Sequence, residues 1–125
     1  MSDKTAIDAW LEGYRKAWST DSPEDIARLF EPDARYFTAP FREPHAGVER
    51  IVEWWVDHGD SKVAWTFEGE AIAREGGLHV VRGVTTYPGG FKEGDETRTY
   101  DNIWLITLAD SGRATEFVEY WMVRK

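Results

Sequence analysis

The 125-residue sequence contains no cysteine, two methionines, three histidines and no excess of basic residues. Without cysteine there is no disulfide, no thiolate nucleophile and no Cys-based metal site, a composition that suits a reducing cytoplasm. Fifteen Lys and Arg stand against 23 Asp and Glu, for a formal net charge of -8. Such a surface repels phosphate backbones and anionic membranes, and no local basic cluster reverses the sign. Neither nucleic acid nor membrane is therefore an expected partner. No apolar run is long enough to span a bilayer, and the N-terminus leads into an amphipathic segment, so a cytoplasmic location is expected. No GxGxxG, P-loop or GxSxG motif occurs. No two histidines share a ligand spacing such as i,i+4, and Glu43 with His45 is a close but weak acid–His pair. No metal and no cofactor is expected.

What the chain does have is aromatic side chains. Seven Trp, five Tyr and six Phe make up 14% of the residues. Large rings fill a core in few pieces, but buried Trp N–H and Tyr O–H groups need partners. Such a core is either studded with polar groups or left partly open as a pocket. The length is that of one domain, expected to span 1–125.

Periodicity orders the elements. Ile7, Trp10, Leu11, Tyr14 and Trp18 form one stripe of a helix over Thr5–Ser19. Ser22 reads as an N-cap, with Pro23 first in a second helix that carries Ile26, Leu29 and Phe30 and stops at Pro32. Ala34–Thr38 reads as a strand. A loop with Pro40 and Pro44 leads to a third helix over Gly47–His58, with Val48, Ile51, Val52, Trp55 and Val56 facing the core and Trp54 at its border. His58, at that helix's C-terminus, is accounted for by the dipole.

Four long strands follow, at Val63–Arg74, Leu78–Tyr87, Thr97–Leu108 and Ala114–Val123. Gly-containing breaks separate them, as in consecutive antiparallel hairpins. The breaks include an acidic stretch, Glu93, Asp95 and Glu96, read as a solvated hairpin tip. Strands of this length need twist or bulges, so the sheet should curl. The order predicts an α+β fold with helices on one sheet face and a pocket at the wide end of the curl.

Several segments resemble the SnoaL-like proteins of bacteria, within the nuclear-transport-factor-2-like superfamily, over about Thr5 to Arg124. They are Leu29-Phe30-Glu31-Pro32-Asp33-Ala34, then Arg42-Glu43-Pro44-His45-Ala46-Gly47 leading to Ile51 and Trp54-Trp55. Asp110-Ser111-Gly112-Arg113 and Glu119-Tyr120-Trp121 complete them. The resemblance implies a cone-shaped, cystatin-like fold, a curved mainly antiparallel sheet around three helices, a deep apolar cavity and frequently a dimer. The superfamily holds isomerases, hydrolases, cyclases and non-catalytic binders, so chemistry must be argued from the site.

Ketosteroid isomerase supplies the sharpest comparison, with a general base and an oxyanion hole of one Tyr and one protonated Asp. By resemblance Tyr14 falls at the oxyanion Tyr, Thr38 at the base and Trp104 near the protonated Asp. A hydroxyl is no substitute for a carboxylate base at neutral pH, so two of three parts are missing.

Alternation along the last two strands assembles another set. Tyr100, Asn102, Trp104 and Ile106 share one face, and Thr115, Phe117, Glu119 and Trp121 share another; the resemblance makes both inward. Glu119 would sit between rings on a cavity wall, where desolvation raises a carboxyl pKa and suits a general acid or base. Asn102 would bond it or a substrate oxygen. The competing account pairs Glu119 with Arg82 as a structural ion pair, and the register of 78–87 is open on whether Arg82 or His79 faces inward.

The expected ligand-binding wall is Tyr14, Trp18, Tyr36, Thr38, His45, Trp55, Tyr100, Asn102, Trp104, Phe117 and Trp121, with His45 near the mouth or merely anchoring its loop. Tyr14 and Glu119 are the catalytic candidates. Outward-facing Ile103, Leu105, Val118, Tyr120 and Met122 form an apolar patch, from which a homodimer on the convex face is expected. Three functions follow: a binder of an apolar or polycyclic ligand, an isomerase, cyclase or hydrolase using Glu119, or a dimeric interaction domain with an incidental cavity.

Overall fold

A computed structural model describes residues 4–59, 63–91 and 94–124. Helix α1 (Lys4–Thr20) buries the stripe expected of it: Ile7, Trp10, Leu11, Tyr14 and Trp18 all face the core. Helix α2 (Pro23–Ala27) starts as its sequence dictates, with the Ser22 hydroxyl accepting from the Asp25 backbone N–H. It ends earlier than expected. Leu29 lies in the following turn, and Phe30 opens strand β1 (Phe30–Phe37) rather than closing the helix.

Pro32 therefore sits inside a strand, where its missing N–H should interrupt pairing. The interruption is visible: β1 and the last strand change register between Phe30 and Arg35, so Pro32 falls where the ladder is already broken.

His45 and Ala46, expected in a loop, form a two-residue strand β2 that pairs antiparallel with β1. Helix α3 (Val48–His58) follows Gly47, whose φ of 91° lies in the left-handed region that glycine tolerates. Ile51 and Trp55 are its buried centre, but Val56 is 45% exposed. The correction follows from helix geometry. At 100° per residue, position 56 lies at the far edge of a stripe centred on 51 and 55. Trp54, on the opposite edge, is half-buried.

Strands β3 (Thr66–Glu75), β4 (Leu78–Tyr87), β5 (Arg98–Leu108) and β6 (Ala114–Val123) form the expected antiparallel meander. With β1 parallel to β6, the mixed six-stranded sheet runs β2-β1-β6-β5-β4-β3. Register shifts at Ala71/Ala73 and Thr107/Leu108 supply the bulges that long strands on a small sheet require.

The register of β4 is now fixed. His79, Val81, Gly83, Thr85 and Tyr87 face the helices, while Arg82 is exposed on the opposite face. An ion pair between Arg82 and Glu119 across the core is thereby excluded. Trp104 stacks on Phe67 at 4.6 Å, and a Cβ built on Gly83 would lie 2.4 Å from the Phe67 ring. Glycine at 83 is what lets that ring lie flat against the sheet.

The aromatic core also resolves its polar groups. Trp10 Nε1 donates to the Leu29 carbonyl at 2.9 Å, and Trp55 Nε1 donates to Asp21 Oδ1 at 3.1 Å. Among the described residues no buried side-chain nitrogen or oxygen lacks a partner. Gly83→Ala is expected to destabilise the fold by about 1–3 kcal/mol, because Phe67 cannot move without disturbing Trp104. Urea unfolding checks this, and an unchanged midpoint would show that the ring yields freely.

Candidate functional site

Between the helices and the sheet lies a cavity of about 300 Å³. Helix α1 contributes Tyr14 and Trp18, β1 contributes Tyr36, and α3 contributes Trp54, Trp55 and His58. The sheet adds Thr85 and Tyr87 from β4, Tyr100, Asn102 and Trp104 from β5, and Glu119 and Trp121 from β6. Gly59 and Phe91 complete the lining. Its exposed members, His58, Gly59, Phe91 and Trp121, mark the mouth.

Most of the residues expected on this wall are on it; three are not. Thr38 lies beyond the end of β1 and its hydroxyl accepts from Arg42 at 3.3 Å, so it stands outside the cavity. His45 is held by β2 and stacks on Trp54 at 4.9 Å, one ring removed from the lining. Phe117 is fully buried, packed on Trp10, Tyr14, Tyr36 and Trp104, and its ring supports the wall from behind.

Sequence reasoning missed Trp54 as a lining residue, together with His58, Gly59, Thr85, Tyr87 and Phe91. Choosing the register of β4 correctly would have found Thr85 and Tyr87.

The polar atoms of the wall form a chain. Thr85 Oγ1 donates to Asn102 Oδ1 at 2.8 Å, and Asn102 Nδ2 donates to Glu119 Oε2 at 2.9 Å. Trp104 Nε1 donates to the same oxygen at 3.2 Å. The register explains the meeting, since Trp104 is directly opposite Glu119 and Asn102 opposite Trp121 on the inward face of β5 and β6. Because a carboxylate can only accept, the Asn102 amide is oriented with its NH₂ toward Glu119 and its oxygen toward the Thr85 hydroxyl, which donates to it. Burial is thus not the only influence on Glu119, which two N–H donors also solvate.

Tyr14 is the second polar group of note. Its hydroxyl lies 3.0 Å from that of Tyr36. Burial chiefly, then the nearby Tyr36 and the Glu119 carboxylate, push its pKa well above the ordinary tyrosine value. Tyr14 therefore keeps its proton and remains a hydrogen-bond donor across the working pH range. At the rim, partial burial and then His58 lower the pKa of His45. The His58 ring stacks on Trp54 at 5.3 Å and its Nδ1 meets the Trp54 carbonyl at 2.9 Å. No group of His, Asp and Glu among the described residues is arranged to hold a metal ion.

A larger concavity of about 900 Å³ lies on the outer face of the sheet, under Pro40 and Phe41 and over Arg82, Ile103, Tyr120 and Met122. It is an apolar groove crossed by surface charges; Asn102 is the one buried polar side chain in its lining, and both Thr85 and the Glu119 carboxylate to which Asn102 is bonded line the interior cavity instead. The interior cavity is therefore the candidate site.

Three helices packed on a curved six-stranded mixed sheet define an α+β fold that this chain shares with known relatives. The model of the SnoaL-like domain matches residues 11–117, so this chain belongs to the SnoaL-like family of the nuclear-transport-factor-2-like superfamily. No curated protein matches the sequence significantly.

Among solved structures, a nuclear-transport-factor-2-like protein of unknown function from Burkholderia xenovorans LB400 is similar, with a TM-score of 0.68 and 19% identity. The match covers 94% of this chain and 83% of that one. The epoxide hydrolase/cyclase-like enzyme SalBIII, of pyran ring formation in the polyether salinomycin, gives a TM-score of 0.74 at 14% identity. That match covers 98% and 95% of the two chains. A protein of unknown function with a cystatin-like fold, from Methylobium petroleophilum PM1, gives 0.72 at 12% identity, covering 98% and 80%. At these identities the likeness is one of fold. Among the described residues, no helix is long and apolar enough to cross a membrane.

The Tyr14 shift predicts the alkaline behaviour. A phenol whose folded pKa is raised loses its proton first in the unfolded chain, so its contribution to stability falls as pH climbs above about 10. In a spectrophotometric titration of the folded protein, Tyr14→Phe should leave the amplitude of the phenolate transition near pH 10 unchanged. A reduced amplitude would place Tyr14 among the ordinary, accessible tyrosines.

Proposed function

We propose that the chain is a bacterial cytoplasmic pocket protein that binds a small apolar molecule in the interior cavity. One observation carries this reading: an aromatic lining whose polar atoms converge on a single carboxylate oxygen, Glu119 Oε2. Apolar walls supply affinity and a few fixed polar atoms supply orientation, the usual division of labour in a ligand site. The volume, about 300 Å³, is near the low end of the range for such sites, which favours a body of one or two rings over a larger polycycle. A cysteine-free chain suits the cytoplasm.

Thermal-shift titration with indole and 2-naphthol tests the reading. A ligand that binds only the folded state at about 100 times its Kd adds about 2.7 kcal/mol of stability. A concentration-dependent rise in Tm is the expected result, and no rise with either probe would contradict it.

A catalytic reading has its own support. Glu119 is an acceptor on one side of the cavity, and Tyr14 is a hydroxyl that holds its proton close enough to feel the carboxylate charge. Such a pair fits proton abstraction by Glu119 while Tyr14 donates to the oxygen on which charge develops, as an isomerase, cyclase or hydrolase requires. The cyclase-like name of one structural neighbour is in keeping with this class. Once a substrate is found, Glu119→Gln should abolish turnover while leaving binding within about threefold; unaltered turnover would exclude Glu119.

The outer face supports a homodimer. Tyr120 and Met122 are 44% and 72% exposed there, beside the half-buried Ile103, Leu105 and Val118. Phe41, 81% exposed, overhangs the same groove. Such a patch on a free monomer would be unusual. Light scattering after size exclusion should give twice the chain mass, and Tyr120→Lys should halve it. A monomer at micromolar concentration would contradict the dimer.

A further inference from the structure

We propose that the interior cavity takes a neutral carbonyl compound, seated with its oxygen at the mouth and its apolar body inside, and that the Tyr100 hydroxyl selects it. The inference rests on the cavity being a ligand site and adds a polar contact at its mouth.

The first observation is where the polar atoms of the wall are engaged. Trp55 Nε1 donates to Asp21, Trp104 Nε1 to Glu119, and Trp121 Nε1 to the Thr38 carbonyl at 3.2 Å. The Tyr14 and Tyr36 hydroxyls meet each other, and Thr85 and Asn102 lead by hydrogen bonds to Glu119. Two groups on the same wall differ. Neither the Tyr100 hydroxyl nor Trp54 Nε1 is hydrogen-bonded to a described residue. Both side chains are half-buried, and neither polar atom is sealed from solvent, because no buried side-chain nitrogen or oxygen among the described residues lacks a partner. The wall thus offers an O–H and an N–H that water, or a ligand displacing it, must satisfy.

The second observation is how firmly Tyr100 is held. Its ring stands at 85° to Tyr87 and at 82° to Trp121, with centroids 6.0 and 5.9 Å apart, and Phe91 lies at 6.5 Å. Phe91 and Trp121 are exposed members of the lining, which puts Tyr100 beside the mouth. Trp54 approaches the mouth from α3, where it stacks on His58. Three rings around Tyr100 hold its hydroxyl in place without a hydrogen bond of its own, so a ligand meets it at little further cost in ordering.

The chemistry of these two groups sets the class of ligand. An indole N–H only donates, and a phenol both donates and accepts, so an acceptor oxygen is the group that either one can bind. No Lys or Arg among the described residues lines the cavity, and the chain carries a net charge of -8. A carboxylate would find no counter-ion there and would be repelled at long range. An uncharged carbonyl oxygen meets the requirement, and the aromatic walls take the body behind it.

The test uses the full chain and two probes of one shape, acetophenone and α-methylstyrene, in which CH₂ replaces the carbonyl oxygen. Dissociation constants come from isothermal titration calorimetry. Tyr100→Phe removes a single oxygen atom. It should weaken acetophenone about three- to tenfold, the range for one neutral hydrogen bond, and leave α-methylstyrene within about 1.5-fold. Benzoate should bind more weakly than acetophenone. The urea midpoint of the variant should match that of the wild type, since the hydroxyl it loses has no protein partner. An equal change for the two probes, or no change for acetophenone, overturns the assignment. Tighter binding of benzoate overturns it too, as does a lowered midpoint, which would tie the hydroxyl to the fold. Binding of neither acetophenone nor α-methylstyrene by the wild type overturns both the assignment and the ligand-site reading beneath it.

Discussion

The structure depends on the seating of one ring. Tyr14, near the middle of α1, packs against Trp10 and Trp18 on its own helix, Trp55 of α3, and Trp104 and Phe117 of the sheet, with centroids 4.8–5.7 Å apart. Each such aromatic pair contributes about 0.5–1.5 kcal/mol beyond simple burial. Their joint effect is to fix α1, α3 and the two central strands relative to one another. The same ring also closes the inner end of the cavity. Packing and site are thus not separate layers, because the side chain that holds the helices to the sheet is also part of the wall.

This arrangement explains why a cavity persists in so small a protein. Indole and phenol rings cannot fold back on themselves as Leu or Met can, and their N–H and O–H groups are tethered. Trp55 is held by Asp21, Trp104 by Glu119 and Trp121 by the Thr38 carbonyl. Collapse of the space would break these bonds and leave donors buried without partners, at about 1–3 kcal/mol each. Asp21 accepts a positive φ of 52° at the α1–α2 junction, where its side chain reaches Trp55. Backbone strain there is offset by the placement of a tryptophan on the cavity wall.

Much of this was legible in the sequence, for particular reasons. The α1 stripe at 7, 10, 11, 14 and 18 is a plain helical period, and all five residues are buried. Strict alternation grouped Asn102 with Trp104 and Glu119 with Trp121, the resemblance to the SnoaL-like proteins made those faces inward, and paired strands carry that face across the ladder. Strand β4 was not legible, because valine occurs on both of its faces: Val81 faces the helices, and Val80 and Val84 face away. A one-residue ambiguity there hid Thr85 and left Arg82 as an apparent partner for Glu119. Thr38 and His45 were misplaced for a different reason. Thr38 lies where the chain leaves β1 and His45 where it returns to pair with β1 as β2, and the path of a turning chain is set by tertiary contacts that periodicity does not encode. Gly59 and Phe91 belong to connections, which carry no period at all.

The central claim is that the interior cavity, rather than the larger groove on the outer face, is the site that ligands occupy. Soaking crystals in iodobenzene and locating iodine by its anomalous signal tests this most directly. The account predicts the strongest peak inside the cavity, among Tyr14, Trp104, Tyr100 and Glu119. A peak confined to the groove beneath Phe41, with none inside, would contradict it.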